Sequence, residues 1–433
     1  MEWKKVVLCG IGAVQSVWGV LSFSPPVAVH RVSTEDVIDV KLAMHPTNYS
    51  AVALWIALAS DSYQLEAASF DGSAWSSASL LGSSVTEPSI HVKIDENGYA
   101  IAIWSAFDGT DLTIQAAQFD GSIWSSAIAI QNLGTTEYDP LLNLAINNPG
   151  YAVASWLSPS LQLLGSTYSP NTLSWSPAYP ISEEGIPLSA TVTAPVLIDP
   201  DNQLTAFLPL AEEMDVSIFD ALSPPTKPVN TYVRLISAEA TSPDLSANQI
   251  GGAAFLVQDT TRHYIISGIR AGSATWNFLL AAHPGAPVQN LTVALNPLNA
   301  RAGGAWESAG GEIQAAFYNV VSWQFVYTLS YQGTSPALSF YEDTADHFAV
   351  IWDDQTVGPE GHAIYFSEYN TGASATGWSS PVSLSEPSTY ADKTQLASLP
   401  TGETIAMWIR LDSTLNPVPR QILESALGAP AGH

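Results

Sequence analysis

Asp95-Glu96-Asn97-Gly98-Tyr99-Ala100-Ile101-Ala102-Ile103-Trp104, continued after a polar loop by Phe119-Asp120-Gly121-Ser122-Ile123-Trp124, is the stretch on which the reading of this chain turns. Asn-Gly and Asp-Gly accept positive φ at little cost and mark tight hairpin turns. Between them the side chains alternate with period two, so Ala100, Ala102 and Trp104 share one face of a strand. The pattern predicts four antiparallel strands: Pro88 to Ile94, Tyr99 to Trp104, Thr113 to Phe119 and Trp124 to Gln131.

The unit recurs. Phe70-Asp71-Gly72-Ser73-Ala74-Trp75 matches Phe119 to Trp124, and a repeat from Asp139 to Ser182 keeps Ala152, Ala154 and Trp156 but turns through Ser169-Pro170-Asn171. Twelve of the fourteen tryptophans fall into two phased ladders: Trp55, Trp104, Trp156, Trp306, Trp352 and Trp408, and Trp75, Trp124, Trp175, Trp276, Trp323 and Trp378. With Leu208 and Phe255 as degenerate members, the first ladder steps by between 46 residues (Trp306 to Trp352) and 56 (Trp352 to Trp408). One four-stranded propeller blade occupies that length. The expected fold is therefore all-β, an eight-bladed β-propeller of four-stranded antiparallel blades. The eighth copy supplies only three strands, at Thr394 to Leu399, Thr404 to Trp408 and Arg420 to Leu427, while Ala28 to Asp39 aligns without a gap on Ile128 to Asp139. The last blade is thus expected to be completed by the N-terminal strand, which covers an edge that would otherwise stand open. Small alanines let neighbouring sheets approach and the tryptophans fill the space between them, so most of these rings are read as core rather than as ligand platforms.

The chain has 433 residues, 46% hydrophobic and only 12% charged, with 13 Lys plus Arg against 40 Asp plus Glu and a formal net charge of -27. Such a balance disfavours nucleic acid and anionic lipid as partners. Lys4 and Lys5 followed by an apolar run from Val6 to Leu21 read as a secretory signal peptide over residues 1–22, with Val20-Leu21-Ser22 placing small residues where a signal peptidase reads and residues 23–433 forming a single propeller domain. An uncleaved anchor is the alternative, against which the shortness of the run counts. The only cysteine, Cys9, lies in this segment, so the remainder carries no thiol and suits an oxidising compartment. The expected location is secreted or periplasmic, with no membrane insertion after signal cleavage.

The Ala-x-Ala-x-Trp strand, the Asn-Gly turn and the Asp-Gly-x-x-Trp-Ser step together resemble the repeat of secreted bacterial β-propeller proteins, and more broadly the sialidase-like propeller superfamily. The Asp-box of that superfamily has Ser-x-Asp-x-Gly-x-Thr-Trp spacing, and Ser69-Phe70-Asp71-Gly72-Ser73-Ala74-Trp75 is one residue shorter. The resemblance implies the fold over nearly the whole chain. A sialidase-like site would need three convergent arginines, a Tyr/Glu nucleophile couple and an acid/base Asp. Seven arginines are present (Arg31, Arg234, Arg262, Arg270, Arg301, Arg410 and Arg420), but no Arg-Ile-Pro segment opens the first blade.

In a propeller, the loops joining second to third strands and those joining successive blades open on one face. More than half of the 40 acidic residues fall there, among them Asp61, Glu87, Asp108, Glu137, Asp139, Asp259, Glu307, Asp353, Asp354, Glu386, Asp392 and Asp412. That face is expected to favour cations or basic protein surfaces; the plainer reading is a solvated rim that keeps the protein soluble. Asp108-Gly109-Thr110-Asp111 and Asp199-Pro200-Asp201-Asn202 lack the ligand ladder of a calcium loop and read as turns. The histidines are scattered, with no zinc-type spacing, and neither a Gly-x-Ser-x-Gly elbow nor a phosphate loop occurs. No metal and no cofactor is expected. The longest second-to-third-strand loops, Asp353 to Gly361 and Leu411 to Pro419, single out Asp353, Asp354, Glu360, His362, Arg410 and Asp412 as the candidate binding residues, with no catalytic residue assigned. The function read from the sequence is non-catalytic recognition of a protein or carbohydrate ligand through the acidic face. A sialidase-like glycoside hydrolase and a structural envelope protein are the alternatives.

Overall fold

The computed structural model describes residues 21–430 except 33, 184–187, 189–193, 210–213, 224–239, 248–251, 260, 272–275, 298, 342–346, 358–360, 371–376 and 416–418. Its described elements are strands in eight antiparallel sheets, each a meander in sequence order except the last, which also takes the N-terminal strands. In the second sheet the strands are Ile90–Ile94, Ala100–Phe107, Leu112–Phe119 and Ile128–Gly134, within a few residues of the expected boundaries. The Asp95–Gly98 turn forms as read: Asp95 Oδ1 accepts the amides of Asn97 and Tyr99, and Gly98 has φ +82°. Three strands of the fourth sheet are described: Val196–Ile198, Gln203–Pro209 and Met214–Asp220.

The fourth strand differs from expectation in one respect. It does not run on from the second-ladder tryptophan. Trp75, Trp124, Trp323 and Trp378 each make an isolated bridge to the end of the third strand, to Phe70, Phe119, Tyr318 and Tyr369. The reason is the serine that follows the ring in most repeats. In Gln118–Ser125 the serine amide donates to the third-strand carbonyl at 2.7 Å, and its hydroxyl accepts that residue's amide at 3.0 Å. Ser76, Ser176 and Ser379 repeat the arrangement. A side chain thus takes over one rung of the ladder, and the backbone is free to leave the strand line before rejoining it.

The first strands of the sheets, among them Glu35–Met44, Asn143–Ile146, Val288–Leu295, Gly333–Phe340 and Ala391–Ser398, lie one against the next along the chain, and the last of them lies against the first. The N-terminal segments Leu21–Phe23 and Val27–His30 both pair antiparallel with Arg420–Pro430, the third strand of the eighth sheet, with Ala28 opposite Glu424. The expectation of a lent N-terminal strand therefore holds. The strand begins earlier than the sequence suggested, because Leu21 and Ser22, assigned to the leader, are part of it.

The first-ladder tryptophans are fully buried, each between its own sheet and the preceding one. Trp104 packs on Leu54, Ile56 and Leu65, Trp408 on Ile351 and Phe366, and Trp55 on Met407, Ile409 and Leu423 of the eighth sheet. Several indole N–H groups find acceptors within their own blade: Trp55 donates to Glu66 (3.0 Å), Trp306 to Gln314 (2.9 Å), Trp408 to Glu424 (3.1 Å) and Trp352 to Asp354 (3.2 Å). Trp104 and Trp156 have none among the described residues. Second-ladder rings reach across the seam instead, Trp75 donating to Ser425 and Trp323 to Ser267 of the preceding sheet.

This division gives a test. Trp55→Phe and Trp104→Phe remove similar volume from similar interfaces, but only the first strips a partly buried carboxylate of a donor. Trp55→Phe is expected to cost about 1–2 kcal/mol more than Trp104→Phe in chemical denaturation, and equal costs would show that the indole bond adds nothing.

Candidate functional site

Of the predicted candidates, Asp353 and His362 lie on the side of the seventh sheet that meets the eighth, Arg410 and Asp412 belong to the eighth sheet, and Asp354 turns toward the sixth. Asp353 and Asp354 stand at the end of the seventh sheet's second strand (Phe348–Val357), and His362 begins its third (Gly361–Tyr369). Asp353 is fully buried, and its Oδ2 lies 2.7 Å from Nδ1 of the partly exposed His362, while Oδ1 has no partner among the described residues. Burial pushes its carboxyl up to about 7, against the pull of His362 and with added repulsion from Asp392 and Asp354. Backbone bonds exchanged between His362 and Ser388 carry the seam across to the eighth sheet, where the Ser388 hydroxyl donates to the Leu411 carbonyl at 3.0 Å. Tyr390 and Asp392 sit beside this link, and burial and Asp392 raise the Tyr390 phenol to about 12.

The other candidates are largely committed to the scaffold. Asp354 holds the Ser330 hydroxyl (2.7 Å) and the Trp352 indole. Arg410 is clamped by Glu424 through Nε (2.9 Å) and Nη2 (2.7 Å), so side-chain bonding to that carboxylate raises its pKa. Asp412 accepts from Arg31 Nε at 2.6 Å and from Thr414. Glu360 lies outside the described residues. Of the six, His362, backed by Asp353, is the described residue best placed to meet a ligand.

The described arginines do not converge. Arg262 pairs with Asp259 on the rim of the second-to-third-strand turns, and Arg270 faces Asp199 at 3.9 Å on the opposite rim, over the Trp276 ring at 5.4 Å. Arg301 lies in the turn closed by the Asn296 amide, also on that opposite rim. Arg420 pairs with Asp36. Arg234 is outside the described residues.

Exposed carboxylates persist on the rim at Asp61, Glu87, Asp108, Glu137, Asp139 and Glu386. Asp108 accepts the amides of Thr110 and Asp111 (both 2.8 Å), which fixes it as a turn and holds its carboxyl below the ordinary range. Asp199 makes the corresponding turn with Asp201 and Gln203. The one described cluster with metal-ligand residue types is His30, Glu35 and Glu66. Its two carboxylates take opposite ring nitrogens, Glu35 by a hydrogen bond at Nε2 (3.0 Å) and Glu66 by a close approach to Nδ1 (3.2 Å), so the arrangement clamps the N-terminal strand on the first sheet.

A central channel carries residues that the sequence reading passed over. Cavities of about 400 and 460 Å³ share Lys93 and Asp244, the first also lined by His91 and Asn143. Lys93 is accessible from these cavities yet ringed by protein, and burial pushes its ammonium down while Asp244 opposes the shift. Burial, aided by Lys41 and Lys93, lowers the His91 imidazole to about 3. The signal available was spacing: His91 and Lys93, two apart on a strand, must share a face.

No family model and no curated protein matches the sequence. Solved structures similar to it include the β-propeller domain of the Trilobed protease from Pyrococcus furiosus, at 7% identity over 82% of this chain and 99% of that one, with a TM-score of 0.47. The six-bladed β-propeller lectin of Aleuria aurantia is similar at 11% identity over 70% of this chain and 97% of its own, TM-score 0.42. An intramolecular trans-sialidase from Ruminococcus gnavus, solved with oseltamivir carboxylate, is similar at 11% identity over 79% and 94%, TM-score 0.40. The chain's own sheet order identifies the fold as a β-propeller.

The Asp353 environment makes a pH-dependent prediction. An acid whose folded pKa is raised binds more protons folded than unfolded between about 4 and 7, so its contribution to stability falls as pH rises through that window. Asp353→Asn should therefore gain on the parent protein from pH 4 to pH 7, by roughly 1–4 kcal/mol. A melting-temperature difference that stays flat or moves the other way would mean that His362 compensates the buried charge in full.

Proposed function

We propose that the protein is an extracytoplasmic, non-catalytic recognition module that captures a protein or carbohydrate ligand at the seam of the seventh and eighth sheets. The observation that carries this reading is His362: a partly exposed imidazole oriented by a buried carboxylate, on the rim that bears the exposed acids. A histidine locked from behind can offer Nε2 to a hydroxyl or an amide without first losing rotamer freedom. The surrounding Asp392 and Glu386 favour a ligand that is neutral or cationic. An acidic sugar fits this rim poorly, since Arg410 and Arg31 are engaged by Glu424 and Asp412.

A glycoside hydrolase is the second reading, and a specific observation keeps it in view. A carboxyl raised to about 7 beside an imidazole is the pairing from which proton transfer at neutral pH is built. The two readings part on measurement. Capture from envelope extracts and on a glycan array should fall at least about tenfold in His362→Ala and weaken in Asp353→Asn, while turnover of a panel of fluorogenic glycosides stays at background. Turnover that disappears in Asp353→Asn would establish the hydrolase instead, and capture unchanged in both variants would remove this seam as the site.

A further inference from the structure

The central channel holds a cation and a carboxylate that face one space without meeting. First strands wall the channel, and the antiparallel register sets which of their side chains share a height. Lys41, His91, Asn143 and Asp244 each stand opposite the fourth residue of their second strand, namely Leu54, Ile103, Ser155 and Leu256. Lys93, two residues on from His91, falls on the same face of its strand, roughly 7 Å farther along the channel. The cavities of about 400 and 460 Å³ are both lined by Lys93 and Asp244, so the space between these two side chains is open rather than packed.

Most other cations of the chain are already engaged. Lys41 is taken by Asp39 at 3.4 Å, and Arg31, Arg262, Arg410 and Arg420 each hold a carboxylate within 3.1 Å. Among the described residues Lys93 has no carboxylate at ion-pair distance, and it feels Asp244 only across the gap. Asp244 is fixed in place, its Oδ2 accepting the Val293 amide of the sixth sheet at 2.7 Å. Burial disfavours the charged form of both groups, which a ligand bringing an anion to one and a cation to the other would offset. The way in suits a ligand of that kind. A third cavity of about 240 Å³, on the rim of the Asp199 and Asn296 turns, continues the channel outward. Its lining includes Pro46, Pro200, Pro297 and Pro400 and contains no charged side chain. A net charge of -27 repels free anions, whereas a molecule of zero net charge enters without that cost.

We propose that the central channel binds a small zwitterion of the amino-acid class, its carboxylate on Lys93 and its ammonium on Asp244. Leu245, which lines both cavities, and Ile198 present apolar surface to the methylenes between the charged ends. Asn143 and the neutral His91 imidazole add hydrogen-bonding groups without adding charge. This site is separate from the seam that carries His362, and either can fail without the other.

The test is calorimetric titration of the full chain with straight-chain ω-amino acids from glycine to ε-aminocaproate, beside n-butyrate and n-butylammonium. At least one amino acid should bind saturably, at least about tenfold more tightly than either singly charged analogue, and Lys93→Met and Asp244→Asn should each weaken it at least about tenfold. No saturable heat for any amino acid overturns the proposal. So does an affinity that survives either substitution, or butyrate binding as tightly as the best amino acid. Should a variant fail to fold, the parent protein decides through acetylation by acetic anhydride, with Lys93 read by mass spectrometry against the exposed Lys393. The bound amino acid should slow modification of Lys93 alone by at least about threefold, and equal rates with and without it place the ligand elsewhere and overturn the proposal.

Discussion

The constraint on which this molecule depends is that one large first-ladder side chain, an indole in most sheets, must fill the space between each sheet and the one before it. Trp55, Trp104, Trp156, Trp306, Trp352 and Trp408 are all fully buried, and each spaces a pair of sheets by its own thickness. Where the opposing third-strand residue is Glu66, Gln314 or Glu424, the ring is also fixed in orientation. Those acceptors stand directly opposite their tryptophans in the antiparallel register, so one cross-strand pair sets both spacing and rotation. Second-ladder rings then tie the outer edge of a sheet to its predecessor through Ser425 and Ser267. Repeated along the chain, this brings the first sheet against the last, and Trp55 rests on Met407, Ile409 and Leu423.

The same logic explains how the chain ends are held. His30 on the N-terminal strand is gripped by Glu35 and Glu66, Arg31 by Asp412, and Arg420 by Asp36. None of these acids is an idle surface charge, and Glu66 serves the His30 clamp and the Trp55 indole at once. Burial raises the Glu66 carboxyl, and the His30 imidazole pulls against that shift. Ion pairs that bridge more than 380 residues of sequence, such as Arg31 to Asp412 and Arg420 to Asp36, turn local contacts into restraints on the whole chain.

What the sequence made legible follows from which forces are local. Tryptophan spacing, the Asn-Gly and Asp-Gly turns and the period-two alanines are repeated signals, and repetition converts weak local preferences into a fold with its strand count. Even the lent N-terminal strand was readable, because Ala28 to Asp39 copies a strand present elsewhere. The candidate residues were readable only as a neighbourhood. Asp353 and His362 are paired, but Asp354 turns to Ser330 instead, and no pattern in the chain says that Arg410 belongs to Glu424 or Asp412 to Arg31. Those pairings are fixed by which side chains the register places within reach. Leu21 went unread for the opposite reason: an apolar residue at the end of an apolar run carries no mark that separates leader from strand.

Acid content and acid availability are therefore different quantities here. Counting carboxylates by loop gives a rim of uniform negative charge, but the structure sorts them into three kinds. Asp354, Glu424 and Asp412 are spent on indoles, hydroxyls and guanidinium groups of the scaffold. Asp108 and its like are tied into turns that keep them ionised and immobile, a fixed field at no conformational cost. Asp353 stands apart, buried, half satisfied and aimed at a histidine that meets solvent. Removing a carboxylate of the first kind would loosen a blade, and neutralising one of the second would change long-range attraction while leaving the seam as it is. Only the third couples the interior of the fold to chemistry at its surface.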